Sequence, residues 1–325
     1  MIPRLCRFSL RLRTHPPLHF LHSSPFSNLS NGKTCAIIDG KSIARDIKSR
    51  LADEINRMRN GIGKCPGLGI VLVGRREDSQ TFIRLKLRAC QEVGIASFVK
   101  QLPDDCSQDE VYDVVSKLNE DPDVHGVIVQ LPLPQHLNED QIVEFVSPEK
   151  DVDGLHPLNI GMLAMGRDPL FIPCAPKACI ELLLRQGTEI ASSRIVVLGK
   201  SKISGLPISL LLQSHLATVS TLHACSDNPE IVTRQADIIV SDVGIPDMVR
   251  GHWLKPEAVV IDMGAKQVKD PSRQCGFRIT GDVCYEEAIE VVSAITPVPG
   301  GVGPVTISML LSNTLESAKR AFKFT

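Results

Sequence analysis

From Asp39 onward, stretches in which apolar residues recur every three or four positions alternate with short, unbroken apolar runs. The first pattern predicts amphipathic helices and the second predicts strands covered on both faces. Helices are expected over 42–59, 79–93 and 108–118, interleaved with strands over 68–73, 97–102 and 126–131. A Pro- and Asp-rich stretch from Ser147 to Pro157 interrupts the series, which then resumes with a helix over 177–186, a strand over 194–198 and a helix over 205–215. Further strands follow over 217–221, 237–241 and 258–262, and 305–322 reads as a closing helix. Two such series argue for an α/β fold of two domains, each a parallel sheet covered by helices. No solenoid period or low-complexity tract interrupts the folded part.

The first 38 residues are of a different composition. They contain no Asp or Glu, while Arg4, Arg7, Arg11 and Arg13 are interleaved with Leu5, Phe8, Leu10 and Leu12 and precede a Ser-, Pro- and His-rich stretch. This is the composition of an organellar transit peptide, mitochondrial in preference to plastid; the alternative is a disordered basic tail. A secretory signal needs a continuous apolar core, and here arginines break the leucines.

In the rest of the chain, composition excludes more than it assigns. The 325 residues are 43% hydrophobic and 22% charged, enough for about two globular domains. Thirty-six basic against 37 acidic residues give a net charge of −1, so no global field draws the chain to nucleic acid or to an anionic membrane. No apolar run is long enough to span a bilayer. The ten cysteines lack a CxxC pair and are expected as reduced, mostly buried thiols with no metal site.

Five segments carry candidate chemistry. Ser79, Phe82 and Lys86 are three and four residues apart, so a hydroxyl, a ring and an amine share one helical face; alone, such a lysine is ordinarily a solvated surface residue. Val129, Gln130 and Leu131 close an apolar strand at the carboxyl end where open α/β sheets bind ligands, and Gln130 is either a structural hydrogen-bonder or part of a site. Asp151 and Asp153 stand at the apparent domain boundary, as a turn, a cap or a site. Pro299, Gly300, Gly301, Val302 and Gly303 form a stretch that either lies along a planar ligand or serves as a stiff linker. The turn Gly199-Lys200-Ser201-Lys202-Ile203-Ser204-Gly205 puts glycines and amide groups at a helix start, as a phosphate site would, yet it is not GxGxxG and an ordinary βα turn is also open.

Taken together, the strings SQTFIRLKLRACQEVGI, GVIVQLPLPQHL, PEKDVDGLHPLN, VVLGKSKISGLP, GDVCYEEA and ITPVPGGVGPVT resemble the FolD-type methylenetetrahydrofolate dehydrogenase/methenyltetrahydrofolate cyclohydrolases, over about 39–322. Within that family the chain resembles the plant-like organellar members. The resemblance implies a transit peptide or disordered segment over 1–38, an N-terminal catalytic α/β domain over 39–150 joined by the closing helix 305–325, and an NAD(P)-binding Rossmann domain over 151–304. It implies a homodimer and tetrahydrofolate derivatives bound between the domains.

By the same resemblance Lys86 is the general acid/base of the hydrolysis, Gln130 orients it, and Asp153 grips the pterin. Ser79, Phe82, Val129, Leu131 and Pro299 to Gly303 line the folate, and Gly199, Lys200, Ser201, Ala224, Gly244 and Ala265 the cofactor. NADP is the expected cofactor, with NAD also possible, because five positions in the cofactor half depart from the family pattern. Lys200 replaces an arginine, Ala224 a serine, Asp242 a small residue, and Ala265-Lys266 an Ile-Asn pair. Phe82 replaces a tyrosine, which implies a weaker cyclohydrolase. Two alternatives to the bifunctional enzyme are a degenerate paralogue retaining only cyclohydrolase activity or folate binding, and a different two-domain dehydrogenase of shikimate or amino-acid type.

Overall fold

In the run Gly67–Val73 every residue is apolar or glycine, a composition that calls for cover on both faces, and all seven residues are buried. The computed structural model describes residues 35–272 and 276–324. The first half contains β1 (Ala36–Ile37), α1 (Gly40–Ile62), β2 (Gly67–Val73), α2 (Glu77–Val93), β3 (Ala96–Leu102), α3 (Gln108–Glu120), β4 (Gly126–Val129), α4 (Glu139–Glu144) and α5 (Pro157–Ala164). The second contains α6 (Cys174–Gln186), β5 (Arg194–Leu198), α7 (Gly205–Ser214), β6 (Thr218–Leu222), α8 (Pro229–Thr233), β7 (Ile238–Ser241), β8 (Val259–Asp262), β9 (Lys266–Lys269), β10 (Phe277–Thr280), α9 (Tyr285–Ala288), β11 (Ala294–Ile295) and α10 (Val302–Phe322).

Local signals explain the helix boundaries. Asp39 accepts the Lys41 and Ser42 amides at the start of α1, and left-handed Gly63 ends it. Between them Ala44, Ile47, Leu51, Ile55 and Met58 form the buried stripe. A reciprocal capping box between Ser107 and Glu110 opens α3.

Two parallel sheets organise the fold. The smaller runs β3-β2-β4, and pairing of Val71 with Val129 makes β2 and β4 end side by side. The larger runs β1-β11-β8-β7-β5-β6. Its chain leaves β5 for β6 on one side and returns to β7 on the other, so the crevice between the carboxyl ends of β5 and β7 is a topological switch point. One apolar core links the sheets through α1, α2, α6, α7 and α10. The returning helix α10 is tied to the smaller-sheet side by Ser317, whose hydroxyl donates to the His125 carbonyl at 2.6 Å, and by the Lys319–Glu54 ion pair at 2.6 Å.

Several elements differ from the sequence expectation. Ala36–Ile37, inside the stretch set aside as leader, is a strand paired with Ala294–Ile295, and Ile38 is buried beside it. Residues 1–34 of the expected leader lie outside the described residues. The closing helix starts at Val302 instead of Val305. Gly303 and Pro304 fit there because the first-turn N–H groups of a helix have no intrahelical partner, so a proline costs nothing. The β9–β10 hairpin and the helices α4, α5, α8 and α9, four to eight residues each, are too short to register as periodic. The eight described cysteines are free thiols, and only Cys90, Cys106, Cys174 and Cys179 are buried, fewer than expected.

Candidate active site

Lys86 and Gln130 meet at the carboxyl end of the smaller sheet. α2 presents Lys86, whose Nζ donates to Gln130 Oε1 at 3.0 Å. Gln130 continues the ladder past β4 through its amide to the Val71 carbonyl at 2.9 Å, and its Nε2 donates to the Leu131 carbonyl at 2.8 Å. The amide nitrogen is thereby turned to the Leu131 carbonyl, which leaves the oxygen, the side chain's acceptor, facing the Lys86 amine. Lys86 is half-buried and Gln130 buried. Ser79 and Phe82 share the α2 face with Lys86 but differ in depth: Ser79 is buried, whereas Phe82 is 48% exposed.

The two boundary aspartates have different tasks. Asp151 is buried and accepts from the Leu155 and His156 amides and from Asn159 Nδ2, so it builds the turn into α5; burial pushes it up to about 6. Asp153 is half-buried, and the Cys174 amide donates to its backbone carbonyl at 3.3 Å. Burial raises the Cys174 thiol well above its ordinary value, Asp153 adds to that, and Lys177 and Lys86 oppose it.

The segment from Pro299 to Gly303 is divided in its exposure. Pro299 and Gly303 are exposed, and Gly300, Gly301 and Val302 are buried. A Cβ on Gly40 would lie 1.8 Å from the Gly301 carbonyl oxygen, so the small residues here serve the close approach of the chain to the start of α1. Gly303 alone among them opens onto free space.

At the switch point, Gly199 (φ 115°) follows β5, and a Cβ there would stand 2.2 Å from the Asp242 carbonyl oxygen. Only glycine fits. Ser201 Oγ accepts from the Ser204 and Gly205 amides at 3.1 Å each, closing the turn onto α7. Lys200, Ala224 and Ala265 are exposed around the carboxyl ends of β5, β6 and β8, and Gly244 (φ 70°) follows β7 beside Lys266. A glycine-dependent β-turn-α unit at a switch point, with exposed lysine beside it, fits a nicotinamide dinucleotide.

Sequence reasoning assigned no role to Asp262 and Asp282, which are both buried. Asp262 accepts from the Gly264, Asp282 and Val283 amides, and Asp282 from the Val243 amide and the Ser241 hydroxyl. They brace the loops that carry Gly244 and Ala265. Burial pushes Asp262 up to about 7 and raises Asp282 in the same direction. The only local signal was a carboxylate following the apolar run Val259–Ile261, together with the Gly281-Asp282 pair.

Residues 38–153 match the family model for the tetrahydrofolate dehydrogenase/cyclohydrolase catalytic domain, and 173–322 match the model for the NAD(P)-binding domain of the same family. The chain is 57% identical over 299 residues to bifunctional protein FolD 1, mitochondrial, of Arabidopsis thaliana, covering 92% of this chain and 85% of that protein. It is 56% identical over 307 residues to the chloroplastic FolD 4 of the same plant, covering 93% and 85%. The structure of the Trypanosoma brucei dehydrogenase-cyclohydrolase, complexed with NADP cofactor and inhibitor, superposes with a TM-score of 0.87 at 42% identity, covering 89% of this chain and 99% of that one. The chain belongs to the tetrahydrofolate dehydrogenase/cyclohydrolase family and carries both of its domains, as a bifunctional enzyme of folate one-carbon chemistry. A dehydrogenase of shikimate or amino-acid type is thereby excluded, and the reading in which only one half survives has no support.

Proposed function

We propose that this chain oxidises 5,10-methylenetetrahydrofolate with NADP and hydrolyses the 5,10-methenyl product to 10-formyltetrahydrofolate, with Lys86, Gln130 and Asp153 as its catalytic residues. The observation that carries this reading is the 3.0 Å hydrogen bond from Lys86 to Gln130 at the carboxyl end of the smaller sheet. When bound, the nicotinamide cofactor takes the hydride from the methylene carbon. The two nitrogens flanking that carbon delocalise the resulting cation, so the protein's part in this step is positioning. In the hydrolysis, water attacks the cationic methenyl carbon, and its oxygen gives up two protons on the way to the formyl group, one released to solvent and one delivered to the departing ring nitrogen. Lys86 Nζ moves that proton, and Gln130 Oε1 holds the amine in place. The Asp153 carboxylate receives the amino and ring N–H groups of the pterin. Ser79, Phe82, Val129, Leu131 and the 299–303 segment bound the folate, and Gly199, Lys200, Ser201, Ala224, Gly244 and Ala265 the cofactor.

NADP is preferred because Lys200 supplies a cation for a 2′-phosphate, although without the fork of an arginine. The domain reading divides the chain into 39–150 with 305–325, and 151–304. Homodimerisation through the larger sheet is supported by β6, the terminal strand of that sheet, with Leu216 beside it 73% exposed. Mitochondrial residence is supported by the acid-free, arginine-rich first 38 residues.

The test is to follow reduction of NADP and of NAD, each dependent on methylenetetrahydrofolate, together with methenyl hydrolysis on one preparation of residues 35–325. NADP reduction faster than NAD reduction, with hydrolysis in the same sample, is expected. Hydrolysis without reduction of either cofactor would contradict the dehydrogenase half, and faster turnover of NAD would contradict the cofactor preference.

A further inference from the structure

We propose that Asp242 is an internal competitor for the cofactor's phosphates and sets how tightly this enzyme holds its dinucleotide, an inference that rests on the cofactor site described above. Asp242 follows β7 and faces the turn after β5 across the switch point, the crevice where open parallel sheets take their ligand. Its Oδ2 accepts from Ser201 Oγ and from Ser204 Oγ, each at 2.6 Å. Ser201 Oγ in turn receives the Ser204 and Gly205 amides that open α7. The two hydroxyls and two amides that a phosphate would use at this helix start are thus already engaged, with a carboxylate of this chain at the end of the network.

The surrounding cations offset this charge only in part. Lys202 is drawn away from the turn by its ion pair with Asp140 at 2.6 Å. Lys266 lies against Gly244, with Nζ 3.6 Å from the position of a Cβ on that residue. Lys200, exposed on the turn itself, is the remaining cation beside the serines. For a phosphate to reach the serines it must take their hydroxyl protons from Asp242 and accept a like charge one residue away. Cofactor affinity is therefore lower than the backbone geometry alone would give, and the dehydrogenase half responds to cofactor concentration over a higher range.

Asp242→Asn keeps the shape and one acceptor for the hydroxyls while removing the charge, and Asp242→Ala removes both. NADP and NAD binding is measured by titration calorimetry on the wild type and both variants, with melting temperature as the control for folding. A tightening of about tenfold is expected for both cofactors in the Asn variant, the size of one like-charge contact at partly screened range. Equal gains for NADP and NAD are expected, because the pyrophosphate is the phosphate group that the two share. Unchanged or weaker binding in a folded Asn variant would overturn the proposal, and so would a gain confined to NADP. If the Ala variant does not fold, the Asn variant decides. Unchanged binding with methylenetetrahydrofolate-dependent reduction intact sinks this inference alone, whereas no cofactor binding by any of the three proteins sinks the dehydrogenase reading with it.

Discussion

Phe82 stands nearly half exposed on the α2 face that carries Lys86, where a ring can lie against a flat substrate but can donate no hydrogen bond. Phe82→Tyr adds that hydroxyl, and methenyl hydrolysis is expected to rise several-fold with little change in melting temperature; an unchanged rate would show that the hydroxyl is not used. Asn313 is the converse case, a buried amide that no pattern marked. Its Nδ2 donates to the Val152 carbonyl at 2.9 Å and the Ile172 carbonyl at 3.1 Å, and its Oδ1 accepts from Lys177 at 2.8 Å. Removing it leaves buried groups unpaired next to Asp153. Asn313→Ala is expected to cost about 2 kcal/mol and to raise KM for methylenetetrahydrofolate more than KM for NADP. Equal changes in both would argue against a role in placing Asp153. At this scale the residue pattern showed Lys86 and Gln130 only as separate candidates and the family resemblance paired them; the pairing spans 44 positions and is made by the sheet that puts β4 beside β2. Helical spacing could not distinguish buried Ser79 from exposed Phe82, because an angular position says nothing of depth.

Among the elements, the strands with the plainest signal in the sequence were those buried on both sides, although the largely exposed β3 and β6 were legible too. β2, β4, β7 and β8 are buried throughout; β2 and β4 read as unbroken runs of apolar residues and glycine, and β7 and β8 as apolar runs closed by Ser241 and Asp262. β1 and β11 are two residues long, and their pairing joins positions 258 residues apart, as Ala36 with Ala294 shows, so no window of sequence contains the signal. The loops after β7 and β8 depend on Asp262 and Asp282, which makes this part of the larger sheet sensitive to pH. Asp262 titrates at about 7 when folded against an ordinary value of 3.8, so between those limits the native state holds a proton that the unfolded chain has released. That contribution to stability is present at low pH and is lost as pH rises through 7. Asp262→Asn cannot lose it. Its melting-temperature deficit relative to wild type is expected to be largest near pH 5 and to shrink toward pH 8. A deficit independent of pH would mean that Asp262 does not titrate in this range.

For the molecule as a whole, the described chain begins as part of its larger sheet. The Ala36 amide donates to the Ser293 carbonyl at 2.8 Å, and that of Ile38 to the Ile295 carbonyl at 2.9 Å. A protein beginning at Cys35 is therefore expected to melt above one beginning at Asp39, which loses the burial of Ile38, worth roughly 1.5–3 kcal/mol. Equal melting temperatures would show that β1 adds nothing to the sheet. The two-domain plan was legible because each half repeats the strand-helix alternation, and the return of the last helix came from the family resemblance. What makes the halves one enzyme is that α10 and α6 continue a single core from the sheet beneath Lys86 to the sheet beneath Gly199. The claim at the centre is that Lys86 moves a proton in the hydrolysis and is not required to move one in the hydride transfer. Both half-reactions measured on Lys86→Ala test it most directly. Methenyl hydrolysis is expected to fall by about a thousandfold while NADP reduction at saturating methylenetetrahydrofolate falls by less than about tenfold. Equal losses in the two would contradict the account and make Lys86 a binding residue.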